Sequence, residues 1–195
     1  LVSLVAFALA GCPNLQGAGA DAKQAGSVSS GGASTSPGGG DSTTDLEWIE
    51  AEAGSCDDEA NWHDVTYIAD GDTIRLKNRD RVRFLMMDTP ELKGRDCYAL
   101  EAKAFTVQAL KSESRVCLVP DPAGDQVDKY KRLLRYVYYR HEGKVVQLNA
   151  RLVRLGYARL LYPYAKGVKY EQVGLKMQAK AAADKQGGWG ACGWK

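Results

Sequence analysis

From His63 onward, tight turn signals cut the chain into short β-rich runs, and this punctuation limits the folds open to it. His63 to Ala69 is rich in β-branched and aromatic residues. It stops at Asp70-Gly71-Asp72, where glycine permits positive φ and aspartate caps its own backbone. Thr73 to Lys77 is a second run, and Asn78-Arg79-Asp80 turns the chain into a third, Val82 to Asp88. Pro90 removes a ladder donor and holds Thr89 extended, so the third run is expected to stop near Asp88. Three runs joined by short turns predict a meander.

The next segments alternate in kind. Leu100, Ala104, Val107 and Leu110 recur at helical spacing and predict a helix over Tyr98 to Leu110. Arg115 to Val119 and Leu133 to Tyr139 read as strands, with a Pro- and Gly-bearing loop between them and a turn at Glu142-Gly143. Val146 to Leu155 reads as a short helix ended by Gly156 at C′, and Leu160 to Tyr164 as an extended piece around Pro163. Val173, Met177 and Ala181 are four apart in a last helix, Tyr170 to Lys185. The order β-β-β-α-β-β-α-α predicts a mainly β fold with α (α+β): a five-stranded OB-fold Greek-key barrel with three helices, over residues 61–190. Residues 191–195 read as a tail.

Charge divides the chain unevenly. Residues 1–60 carry nine acidic side chains against Lys23 alone, which leaves 25 basic and 15 acidic residues in 61–195. An excess of that size attracts polyanions, nucleic acid first among them. Leu1 to Ala10 is apolar and runs into Leu9-Ala10-Gly11-Cys12, which resembles the lipobox of bacterial lipoproteins. Residues 1–12 are therefore expected to be a signal segment whose Cys12 takes lipid. Ten apolar residues are too few to span a bilayer as a helix. Residues 13–60, Gly/Ser-rich and then acidic, are expected to tether the domain outside the cytoplasm of a bacterial cell, with the membrane met only through the lipid. The other four cysteines, Cys56, Cys97, Cys117 and Cys192, imply two disulfides in an oxidising compartment, with three possible pairings. Cys56 with Cys192, bracketing the domain, and Cys97 with Cys117 is the preferred one. No spacing fits a cysteine-bound zinc.

Chemistry gathers at Arg83 to Glu91. An apolar run, Phe84 to Met87, starts beside an arginine and ends at Asp88 and Glu91, where a buried strand meets a loop. Arg83 and Asp88 are five apart, so a regular strand would face them to opposite sides; to share a site the strand must twist, bulge or end. An Asp-Gly-Asp turn alone is better explained by turn geometry than by metal binding. Tyr136, Tyr138 and Tyr139 read as sheet packing, and His63 and His141 as structural or surface residues.

Three motifs in register carry a resemblance: Asp70-Gly71-Asp72-Thr73-Ile74, Arg83 to Glu91, and Asp128-Lys129-Tyr130-Lys131-Arg132. With Glu101-Ala102, Asn149, Leu152-Val153 and Gly188-Trp189, the domain resembles the staphylococcal-nuclease-like (thermonuclease) family. The resemblance implies calcium held by Asp72, Asp88 and the carbonyl of Thr89, with Glu91 as general base on the attacking water. It implies Arg83 and Arg132 on the scissile phosphate, Tyr130 on a nucleotide phosphate, and Tyr162 and Tyr164 lining a base pocket. Its substrates would be DNA and RNA, single-stranded or frayed, its products would end in a 3′-phosphate, and one copy would suffice. The chemistry is consistent: a hard cation wants oxygen ligands, and arginine matches phosphate oxygens in pairs. Two positions depart from the family, Lys131 and Ala99 standing where glycine is usual. The competing reading is an OB-fold nucleic-acid-binding surface module without turnover, and a third is a surface scaffold.

Overall fold

The computed structural model describes residues 49–52, 54–111 and 115–195. Cys12, the signal segment and the tether as far as Trp48 lie outside the described residues. A 3-10 turn, Glu59–Asn61, leads into strands β1 (Trp62–Ile68), β2 (Thr73–Leu76), β3 (Arg81–Phe84) and β4 (Met87–Asp88). Helix α1 (Ala99–Ala109) follows, then β5 (Arg115–Val119), β6 (Leu133–His141) and β7 (Lys144–Gln147). Helix α2 (Leu148–Arg154), β8 (Arg159–Leu160), α3 (Glu171–Ala183) and α4 (Gly188–Ala191) complete the domain.

Strands β1, β2, β3, β6 and β5 close into the predicted OB-type barrel. β1, β2 and β3 form the antiparallel meander, β1 also pairs with β5, and β5 pairs with β6. A parallel pairing of β3 with β6, Arg83 opposite Leu134, seals the ring. Alternation along the strands sends Ile74, Val82, Phe84, Val116 and Val137 into a core where each is at most 1 % exposed. Each such side chain contributes about 1.5–3 kcal/mol through burial. Tyr136, Tyr138 and Tyr139 of β6 are buried as sheet packing.

The structure corrects four local expectations. The third run is not one strand to Asp88: it breaks at Leu85-Met86, where Met86 has φ of 62°, and resumes as β4. Val146 and Gln147 belong to β7, not to a helix, because the turn at Glu142 and Gly143, both at positive φ, folds the chain back on β6 as a hairpin. The helix starts at Leu148 and ends as predicted, with Gly156 at φ of 72°. The helices number four among the described residues, because Gly188–Ala191 forms an extra turn.

The fourth correction is the disulfide pairing. Cys56 bonds Cys117, and Cys97 bonds Cys192. The β1–β5 register sets Cys117 opposite Trp62, whose indole N–H donates to the Cys56 carbonyl at 2.9 Å, so Cys56 and Cys117 are neighbours. Cys192 lies past α4, on the loop before α1. Upstream, Ala51 N donates to Val145 O at 2.8 Å and Gln147 N to Ile49 O at 2.7 Å, so residues 49–51 run along β7.

Candidate active site

The Asp-Gly-Asp turn between β1 and β2 delivers Asp72 to the barrel wall with its side chain 1 % exposed. The Asp72 amide donates to Asp70 Oδ1 at 3.2 Å, which tightens the turn. Burial pushes the Asp70 carboxyl above its ordinary value, against the pull of Thr73 and the charges of Arg83 and Arg132. A buried carboxylate needs partners. Asp72 Oδ2 accepts from Thr89 N at 2.7 Å and Thr89 Oγ1 at 2.8 Å, and Oδ1 accepts from Thr73 Oγ1 at 3.1 Å. Arg83 completes the shell as an ion pair. Gly71 makes room: a Cβ there would lie 2.7 Å from Thr89 Cγ2.

The same guanidinium reaches Asp88. Arg83 Nη2 donates to Asp88 Oδ1 and, at 3.3 Å, to Met87 O. The break at Leu85-Met86 settles the parity problem, because the bend returns Asp88 to the side of Arg83. Asn149 on α2 pins that bend. Its Nδ2 donates to Leu85 O at 3.1 Å and Arg135 O at 3.2 Å, while its Oδ1 accepts from Val137 N at 2.9 Å. Leu161 N holds Met86 O at 2.9 Å from the β8 side.

The loop before β6 aims the second arginine. Asp128 Oδ1 accepts from Tyr130 N and Arg132 N, both at 2.9 Å, and its Oδ2 accepts from Arg132 Nε at 2.6 Å. Burial pushes the Asp128 carboxyl up, but the Arg132 amide, guanidinium and charge, with the Tyr130 amide, hold it below its ordinary value. Lys131 takes the glycine conformation, φ of 60°. Arg132 lies 5.4 Å from the Tyr130 ring centroid, and Lys129 lies 5.1 Å from it on the same exposed tyrosine. Arg83, Tyr130, Arg132 and Tyr164 line one cavity of about 420 Å³.

Not every predicted residue enters this cavity. Glu91 is exposed and borders a separate cavity of about 340 Å³ with Asp88, Asp96 and Arg159; its amide donates to Asp96 Oδ2 at 3.1 Å. Tyr162 is turned from Tyr164, toward Glu171 Oε1 at 3.3 Å and a third groove. Thr89 meets Asp72 through its amide and hydroxyl. His63 on β1 and His141 on β6 stand outside the cluster. Two positioning residues were not read as such from the sequence, Asp128 and Asn149. Asp128 could have been found from its place four before Arg132, whereas Asn149 has partners far away in sequence.

Asp72 and Asp88 are the pair that could hold a cation. One guanidinium spans both, so a single positive centre satisfies the two carboxylates, and their hard oxygens fit a divalent ion such as Ca²⁺. Among the described residues no third acidic, histidine or cysteine side chain joins them, so further ligands would be carbonyl or water oxygens.

Residues 81–191 match the staphylococcal nuclease homologue family. The chain is similar to two Bacillus subtilis proteins, the SPbeta prophage-derived endonuclease YokF (37 % identical over 132 residues) and endonuclease YncB (38 % over 133). Each match covers 64 % of this chain, and 43 % and 60 % of the respective relative. The chain thus spans about half the length of these relatives.

Proposed function

The chain belongs to the staphylococcal nuclease homologue family, and from that premise we propose that it is a calcium-dependent endonuclease hydrolysing phosphodiester bonds of DNA and RNA. One observation carries the reading: Arg83, which joins Asp72 to Asp88, lines the same cavity as Arg132 and Tyr130. Charged donors and a cation-competent carboxylate pair then converge where a phosphate can enter.

Phosphodiester hydrolysis builds negative charge on the phosphoryl oxygens, and fixed donors aimed at that charge lower the barrier. Arg83 and Arg132 supply planar pairs of N–H donors that keep their charge at neutral pH. Asp128 fixes the aim of Arg132, and Tyr130 stands beside it at the cavity mouth to meet a flanking phosphate. Tyr164 offers an exposed ring on the same cavity for a base. Asp72 and Asp88 would hold Ca²⁺, which when bound supplies Lewis-acid polarisation of a phosphoryl oxygen. Glu91 takes the proton of the attacking water from the far side of Asp88. The products would end in a 3′-phosphate. Tyr162 serves as a second aromatic contact at the adjacent groove.

The setting belongs to the same proposal. The lipobox ending at Cys12 and the two disulfides support an exported domain, lipid-anchored to a bacterial membrane by its N-terminus and working as a single copy. The alternative is a catalytically silent binding module; the presence of all five charged positions, Asp72, Arg83, Asp88, Glu91 and Arg132, favours the enzyme. The two separate on Glu91→Gln. An enzyme loses turnover of single-stranded DNA and RNA by about 10²–10⁴-fold while binding persists. Turnover equal to wild type removes Glu91 from the mechanism, and wild-type binding without turnover replaces the enzyme by the module.

A further inference from the structure

We propose that Arg159 and Trp194 form a second nucleotide subsite, on the side of Asp88 away from Tyr130 and Tyr164, which takes the neighbouring nucleotide of a single-stranded nucleic acid. The inference rests on the nuclease reading for the path of the strand and deepens it.

Arg159 lies directly opposite Asp88 in the β4–β8 pairing. Its side chain is exposed and makes no ion pair among the described residues. It rests 5.1 Å from the centroid of Trp194. Trp194 belongs to the last five residues, which as a bare sequence look like a tail, but it is held from several sides. Cys192, two residues earlier, is bonded to Cys97. The indole meets Trp189 edge-on at 5.7 Å and Tyr98 at 6.4 Å, and it covers Gly188, where any Cβ would collide with the ring. The disulfide and these contacts install an aromatic ring behind an exposed guanidinium, directly across the β4–β8 ladder from a proposed cation ligand.

The surface has a matching shape. Asp88 and Arg159 border two cavities, one of about 340 Å³ that includes Glu91 and Trp194, the other of about 290 Å³ that includes Tyr162 and Trp189. The cavity holding Tyr130, Arg132 and Tyr164 is lined by Arg83, the ion-pair partner of Asp88, and by neither Asp88 nor Arg159. A phosphodiester cut inside a strand has a nucleotide on each side. A strand crossing Asp88 therefore meets a cation with an aromatic on both flanks: Arg132 with Tyr130 on one, Arg159 with Trp194 on the other. A guanidinium backed by an indole offers donors to a phosphate and a plane for a base, which is how single strands are gripped without sequence preference.

The test is fluorescence anisotropy of end-labelled DNA on the full chain, in chelator so that nothing is cut, comparing a mononucleotide, which fills one side of the site, with a single-stranded octanucleotide, which fills both. Wild type is expected to favour the longer strand. Arg159→Ala and Trp194→Ala should each shrink that advantage about tenfold, the weight of one stacked base, and Trp194→Phe should recover most of it. If Trp194→Ala fails to fold, the exposed Arg159→Ala decides. An intact length advantage in Arg159→Ala, or none in wild type, overturns the subsite. A parallel cleavage assay in Ca²⁺ separates the two ideas. Loss of the advantage in a chain that never cleaves leaves the subsite standing and removes the nuclease reading; cleavage with the advantage unchanged does the reverse.

Discussion

Arg83 and Arg132 are the same residue type on the same cavity, yet their substitution should have different consequences. Each is expected to cost about 10²–10³ in kcat when replaced by alanine, the weight of one preorganised donor to developing charge. Arg83→Ala also strands the buried Asp72 carboxylate, and breaking one side of such a pair costs about 3–5 kcal/mol. Urea denaturation should show that loss for Arg83→Ala and much less for Arg132→Ala, whose side chain is 22 % exposed. Lys131 is a second residue-scale case. At φ of 60° a lysine carries a backbone penalty that glycine avoids, so Lys131→Gly should raise stability by about 1–2 kcal/mol in the same experiment. Both arginines and both aspartates were legible in the sequence because motifs mark them. Asp128 and Asn149 went unread as positioning residues because what they do is defined by partners, not by type.

At the scale of elements, the break between β3 and β4 decides whether a site exists. Pro90 predicted an end near Asp88, but the turn that brings Asp88 round falls earlier, at Leu85-Met86, and is enforced by α2 and β8. No local signal marks it, since Met86 is not a residue that favours positive φ. Asn149→Ala would leave Leu85 O, Arg135 O and Val137 N short of a partner. The expected outcome is a loss of about 1–3 kcal/mol in denaturation, with turnover falling as Arg83 and Asp88 lose their common side. β7 was misread as helix for a related reason: its apolar residues suit either period, and only the hairpin with β6 chooses. The loop ahead of α3 is tied down by Asp121, buried, which accepts from Tyr136 Oη at 2.6 Å and Lys169 N at 2.8 Å. Burial pushes the Asp121 carboxyl up, but the Tyr136 hydroxyl and the Lys169, Ala123 and Gly124 amides outweigh it and hold it below its ordinary value. Its stabilising contribution is therefore complete above the unfolded carboxylate pKa and fades as pH falls through the lower, folded one. Thermal melts should show Asp121→Asn less stable than wild type at neutral pH, the gap closing in acid; a gap constant with pH would contradict this assignment.

On the scale of the whole molecule, the barrel is a frame that sets two carboxylates, two arginines, Tyr130 and Tyr164 about the proposed crossing point of the strand. The barrel order was legible because the turns punctuate it. The disulfides were not, because pairing follows the β1–β5 register and the seat of the last helix, neither of which cysteine spacing encodes. Cys56–Cys117 closes a separation of 61 residues across β1 and β5, and replacing both cysteines by serine should cost about 2–5 kcal/mol. The basic excess of residues 61–195 predicts that nucleic-acid binding weakens as salt rises. The most direct test of the central claim, that this crossing point is a metal-dependent nuclease site, is cleavage of single-stranded DNA by the full chain in Ca²⁺ and in chelator. The site as described predicts cleavage in Ca²⁺, its loss in chelator, and a drop of about 10²–10³ in Arg132→Ala. Equal cleavage in both conditions, or none in either with binding retained, would contradict it.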